Sequence, residues 1–136
     1  MPSLIPDSHK DLLERPVVVT LVTLMPDGQP QATPVWCDFD GEYVRINTAR
    51  GRQKDKNMQR QARVSILAID PADPYRWMEI RGEVAEITEE GAAEHINALS
   101  RKYVQKDYYG GYRPAELRFK QQRVIYKIKP TRVNLE

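Results

Sequence analysis

Between Asn47 and Asn57 the chain reads Asn-Thr-Ala-Arg-Gly-Arg-Gln-Lys-Asp-Lys-Asn, which sets Arg50, Arg52, Lys54 and Lys56 around one glycine, Gly51. Cations at this density in a turn suit an anion, and phosphate is the anion such turns commonly hold. The run leads from an extended stretch into a compact polar one, so it is expected to start a helix. A helix N-terminus has backbone N–H groups without intrahelical acceptors and a partial positive charge, and cations there favour a bound phosphate further. The competing reading is a solvated basic helix face, a common form of surface charge run.

The rest of the inventory narrows the chemistry. His9 and His95 are far apart and Cys37 is the single cysteine, so no spacing suggests a metal site. Cys37 has no local Cys-His arrangement and reads as a small buried hydrophobe; it cannot form an internal disulfide. Met1-Pro2-Ser3 is followed by neither an apolar signal core nor a spanning segment, so a reducing cytoplasm and no membrane are expected. Lys and Arg number 21 against 19 Asp and Glu, a formal balance of +2, which argues against a continuous track for nucleic acid. Tyr103, Tyr108, Tyr109 and Tyr112 could stack bases, but Gly110 and Gly111 among them suit a mobile lid or an ordinary surface loop better.

The 136 residues fit one domain over 1–136, and 40% hydrophobic residues suffice for one core, while a mean hydropathy of -0.64 implies a well-solvated exterior. Ser8 is placed to cap a short helix through Leu12 and Leu13, stopped by Pro16. Val17 to Leu24 reads as a strand turning at Asp27-Gly28, and Gln31 to Phe39 as the next, with a hairpin at Asp40-Gly41 leading to Glu42–Thr48. Pro34 lacks the ladder donor and marks an edge, a bulge or a place where something other than a strand approaches. Ala62 to Asp70 is expected to be covered on both faces. Tyr75 to Thr88 is a long strand in which Gly82 marks a barrel bend. Ala92, Ile96, Leu99 and Tyr103 recur at helical spacing, Pro114 opens a short helix through Leu117 and Phe119, and Arg123 to Leu135 is a last strand broken near Pro130. Close-spaced strands and tight hairpins favour a small closed sheet; Gly51 alone does not make a dinucleotide fingerprint.

Taken in order, Pro26-Asp27-Gly28-Gln29-Pro30, Pro34-Val35-Trp36, Asn47-Thr48, Gly51-Arg52-Gln53-Lys54, Asn57, Pro74-Tyr75 to Gly82 and Lys129-Pro130-Thr131-Arg132-Val133 form a recognisable set. From about Val17 to Val133 the chain resembles the pyridoxamine-phosphate-oxidase-like split-barrel flavoproteins, and within them the short F420-dependent deazaflavin oxidoreductases. The resemblance implies a mainly β fold, a six-stranded split β-barrel with flanking helices of the FMN-binding type. It also implies a homodimer whose two cofactor grooves each draw on both chains. It assigns the cofactor phosphate to Arg52 and Lys54, with Asn57 on the same helix and Arg50 as a further cation. It lays the ring against Thr33, Pro34, Val35 and Trp36, and places Trp77 and Arg132 at the groove.

The activity so implied is hydride transfer between coenzyme F420 and a conjugated small-molecule acceptor, with no dedicated catalytic acid or base. FMN is the alternative cofactor, and a non-catalytic flavin or deazaflavin carrier the alternative role. Gly51-Arg52-Gln53-Lys54-x-x-Asn57 and Pro74-Tyr75-Arg76-Trp77 resemble the deazaflavin branch, and the Arg-x-His ending of the pyridoxamine phosphate oxidases is not found. Excess cations at Arg50, Lys54, Lys56 and Arg60 would also complement the polyglutamate tail of F420.

Overall fold

The computed structural model describes residues 3–110 and 121–136. The expected helix from Pro114 through Phe119, together with Gly111 and Tyr112, lies outside the described residues. In chain order the elements are α1 (Asp11–Glu14), β1 (Val19–Leu24), β2 (Pro30–Val35), β3 (Cys37–Phe39), β4 (Val44–Ala49) and α2 (Gln53–Arg60). They continue with β5 (Arg63–Asp70), β6 (Asp73–Thr88), α3 (Ala92–Val104) and β7 (Arg123–Leu135).

Among the described residues the seven strands belong to one antiparallel sheet of order β2-β1-β5-β6-β7-β4-β3. The two end strands, β2 and β3, are separated in sequence by Trp36 alone. The stretch expected as one strand from Gln31 to Phe39 thus pairs with β1 in its first half and with β4 in its second, which curls the sheet into a split β-barrel. Counting β2 and β3 as one strand recovers the six expected; the break at Trp36 is what the pattern of residues did not reveal.

The hairpins follow from local chemistry. Gly28 at φ 88° donates to the Met25 carbonyl, and Asp27 Oδ1 accepts from Gln29 N–H. Gly41 at φ 99° lets Asp40 accept the N–H groups of Glu42 and Tyr43. At Gly82 the need is steric: a Cβ would lie 2.7 Å from the Lys129 carbonyl oxygen. The bend expected there coincides with a register shift, Arg81 pairing with Arg132 and Gly82 with Pro130, so that Thr131 has no opposite number. β7 runs unbroken through Pro130 because the bulge absorbs the missing donor.

The barrel interior is filled by Leu21, Ile46, Met58, Ile66, Met78, Ile80, Tyr126 and Ile128, and α1 plugs one end with Leu12 and Leu13. A four-residue helix has no stability of its own; two fully buried leucines contribute about 1.5–3 kcal/mol each, and Arg76 fastens the plug through Asp11, Asp70 and the Ser8 carbonyl. Ser8 does not cap α1: its hydroxyl is engaged by His9, and Lys10 holds the cap position. β5 is covered on one face only, with Val64, Ile66 and Ala68 buried while Ile69 is 43% exposed.

Candidate functional site

The basic turn lies where β4 ends and α2 begins, and the structure divides its cations by role. Arg50 is held by carboxylates, Nη1 donating to Asp55 Oδ1 at 3.0 Å and Nε to Glu89 Oε2 at 2.9 Å. Asp55 is buried. Burial acts to raise its carboxyl, but hydrogen bonds from Tyr126, Gly51, Gln59 and Arg50 outweigh this and hold it below the usual carboxylate range. Arg50 therefore spends two of its donors on locking the turn. Asn57 is fully buried; its amide nitrogen donates to Thr23 Oγ1 at 3.1 Å and its oxygen accepts from Gln53 at 2.8 Å. It ties α2 to β1 and does not face solvent.

Arg52 and Lys54, at the N-terminal end of α2, line a cleft of about 260 Å³ together with Pro34, Val35 and Trp36. The structure thus brings together the two halves of the expected site. Val18, Asn47, Ile96, Tyr109 and Arg123 also line the cleft; Asn47 opens the basic run and Tyr109 belongs to the tyrosine loop, whereas Val18, Ile96 and Arg123 are not expected at the site from sequence. Arg123 arrives from 71 positions beyond Arg52 through the β4–β7 pairing that sets it opposite Ala49. No local signal distinguishes it from the other arginines. Its Nε donates to Asn47 Oδ1 at 2.9 Å, and its guanidinium carbon lies 4.9 Å from the centre of the Tyr109 ring.

The electrostatics of the cleft are one-sided. Among the described residues, Arg52, Lys54 and Arg123 form no ion pair with a carboxylate. Burial lowers the Lys54 ammonium below its ordinary value, and the neighbouring Arg52 and Arg123 lower it further. Desolvation likewise lowers Arg123. Three converging cations, two of them partly removed from water without a counter-charge, leave room for a multiply charged anion such as a phosphate.

On the opposite wall, Trp36 stacks on Tyr103 with centroids 5.2 Å apart and an interplanar angle of 11°, and meets Tyr109 edge-on at 6.1 Å. Tyr103 is itself anchored, its hydroxyl donating to the Val17 carbonyl at 2.8 Å and accepting from the Cys37 N–H at 3.1 Å. The break between β2 and β3 is therefore held rigidly against α3. Pro34 pairs with Thr20 of β1 and is exposed, and β2 has a strand neighbour on one side only. Thr33 is half-buried opposite Leu21 and is not among the cleft residues. Trp77 and Arg132 lie elsewhere: Trp77 borders an apolar recess of about 510 Å³ with Leu67 and Ile69, and Arg132 a second concavity with Arg63 and Arg81.

A curled antiparallel sheet with flanking helices, and a cleft lined by Arg52, Lys54 and Arg123 beside the β2 edge, defines a split-barrel protein. The family model for pyridoxamine 5'-phosphate oxidase matches residues 5–136, and the chain belongs to that family. Among solved structures it is similar to an F420 reductase at 34% identity, with a TM-score of 0.81 over 96% of this chain and 98% of that one. It is also similar to the conserved protein Rv2991 of Mycobacterium tuberculosis, at 26% identity and a TM-score of 0.72 over 98% of this chain and 86% of that one. HupZ of Group A Streptococcus shares the fold, at 19% identity and a TM-score of 0.68 over 96% and 93% of the two chains. No curated protein matches closely enough to count as a relative. None of the described helices is long and apolar enough to cross a membrane.

Proposed function

We propose that the protein is an F420-dependent oxidoreductase that passes a hydride between the deazaflavin and a conjugated small-molecule acceptor. The observation that carries this reading is the trio Arg52, Lys54 and Arg123, cations that form no carboxylate ion pair among the described residues, beside Pro34-Val35-Trp36. Likeness to an F420 reductase over nearly the full length of both chains supports F420 over FMN, which the same cations would also accept.

When bound, the cofactor supplies the hydride chemistry; the chain supplies anchoring, orientation and exclusion of water. Arg52, Lys54 and Arg123 would hold the phosphate by charge-assisted hydrogen bonds. The β2 edge at Thr33, Pro34 and Val35 would offer backbone groups to the polar rim of the ring, while Trp36, immobilised by Tyr103, would fix the ring plane. Arg50 and Asn57 would act at a distance, holding the turn and α2 in place.

A homodimer completes the account. The cleft of about 260 Å³ is smaller than the usual 300–1,000 Å³ of ligand pockets. Its missing wall would come from a second copy, bringing that copy's Trp77 and Arg132 to the groove. The half-covered apolar face with Leu67, Ile69 and Trp77 supports an isologous contact.

The test is turnover. Reduced F420 mixed with the protein and a panel of conjugated enones and quinones should be oxidised faster than without protein, followed by absorbance. Binding without turnover across the panel would make the protein a carrier, and turnover with reduced FMN alone would make it a flavin reductase.

A further inference from the structure

From the cleft a line of polar side chains runs through buried Arg123, Asn47 and His95 to the partly exposed pair Asp38 and Arg45. Arg123 Nε donates to Asn47 Oδ1 at 2.9 Å, and Asn47 Nδ2 lies 2.9 Å from the Ala92 carbonyl oxygen and 3.1 Å from His95 Nδ1. His95 Nε2 lies 3.0 Å from Asp38 Oδ2, and Arg45 grips the same carboxylate at 2.8 and 2.9 Å. Asn47, His95 and Arg123 are all less than a tenth exposed.

Two unambiguous partners decide every proton in this line. A guanidinium only donates, so the Asn47 atom facing Arg123 is oxygen; a carbonyl only accepts, so the atom facing Ala92 is the NH₂ nitrogen. That nitrogen also faces His95 Nδ1, which must then be the acceptor. His95 is therefore the neutral Nε2–H tautomer, donating to Asp38. Burial raises the Asp38 carboxyl, but hydrogen bonds from His95 and Arg45 more than offset this, so it stays an acceptor. A second proton on His95 would point Nδ1–H at the Asn47 NH₂. The amide could relieve that clash only by turning over, which would set its NH₂ against Arg123 and an oxygen against the Ala92 carbonyl.

We propose that His95 is a positioning residue for the anion cleft: its unprotonated Nδ1 fixes the Asn47 amide, and through it aims the Arg123 guanidinium at the bound phosphate. The proposal rests on the reading of the cleft as a phosphate site. Removing the Nδ1 acceptor would free the Asn47 amide to turn and release Arg123. The charged groups of this line are Asp38 on β3, Arg45 on β4 and Arg123 on β7; among the described residues, Asp38 is the charged side chain that hydrogen-bonds His95.

Nitrogen-15 spectra of the intact protein should show His95 as the Nε2–H tautomer at neutral pH. His95→Leu, which removes the Nδ1 acceptor, should shift the Arg123 Nε–H resonance and weaken F420 binding about tenfold, the loss of one hydrogen bond's worth of positioning. His95→Asn, whose amide oxygen can stand in for the Nδ1 acceptor, should restore both.

An Nδ1–H tautomer, an Arg123 resonance unchanged in His95→Leu, or an F420 affinity unchanged in that variant would each overturn the proposal. If neither F420 nor FMN binds while the Arg123 resonance still responds to His95→Leu, the relay stands and the cofactor reading falls.

Discussion

Lys54→Met separates a ligand-binding cation from a structural one, because the two roles predict opposite effects on the ligand-free protein. The substitution keeps the aliphatic stem and removes the charge. Burial, Arg52 and Arg123 all lower the Lys54 ammonium, so folding disfavours its charged form; that penalty is full at neutral pH and is relieved as pH rises through the lowered folded value. Removing the charge should leave the ligand-free protein unchanged or more stable, by less than about 1 kcal/mol because solvent screens a half-buried group. A charge-assisted hydrogen bond to phosphate contributes about 1.5–3 kcal/mol, so F420 affinity should fall about 10- to 150-fold. Urea unfolding without ligand and fluorescence titration with F420 give the two numbers. Loss of more than about 1 kcal/mol of stability with an unchanged dissociation constant would show Lys54 to be structural and would refute the electrostatic argument.

Other perturbations separate the framework from the site. Arg50→Ala removes one support of buried Asp55 and should cost about 1–2 kcal/mol of stability, while shifting the F420 dissociation constant less than about threefold; the reverse pattern would return Arg50 to the site. The Asp55 carboxyl has a lowered folded value, so its stabilisation is present above the unfolded value near 3.9 and is lost as pH falls through the folded one. Stability of Asp55→Asn, measured from pH 6 to pH 2, should accordingly fall less steeply than that of the wild type. Gly82→Ala sets a methyl against the Lys129 carbonyl and Ile128, and should cost about 1–3 kcal/mol in urea unfolding. Raising salt from low ionic strength should weaken F420 binding, since exposed Arg52 is screened over about 10 Å at 0.1 M.

Much of the barrel is legible residue by residue because its turns are chemically marked. Asp27-Gly28 and Asp40-Gly41 carry the positive φ that glycine permits, and Gly82 sits where only a hydrogen fits against β7. The amphipathic spacing of α3 survives intact, running from Ala92 to Val104. What the chain conceals is whatever depends on pairing between distant strands. Arg50 and Arg52 look alike in sequence, yet the turn at Gly51 hands one to Asp55 and Glu89 and leaves the other facing the cleft. Arg123 enters the cleft through the β4–β7 register. Asn57, polar on a basic helix, reads as a ligand contact, although its polarity serves a buried tie to Thr23. The second face of β5 looks apolar enough to be covered, and within one chain it is not.

If the cleft between α2 and the β2 edge holds F420, titrating the protein with F420 and with FMN at the same salt will show it. Trp36, stacked on Tyr103 at the cleft wall, makes intrinsic fluorescence the natural reporter. F420 should quench it saturably, with a lower dissociation constant than FMN, and Lys54→Met should raise that constant. Tighter binding of FMN, or no response to either cofactor, would contradict the F420 reading.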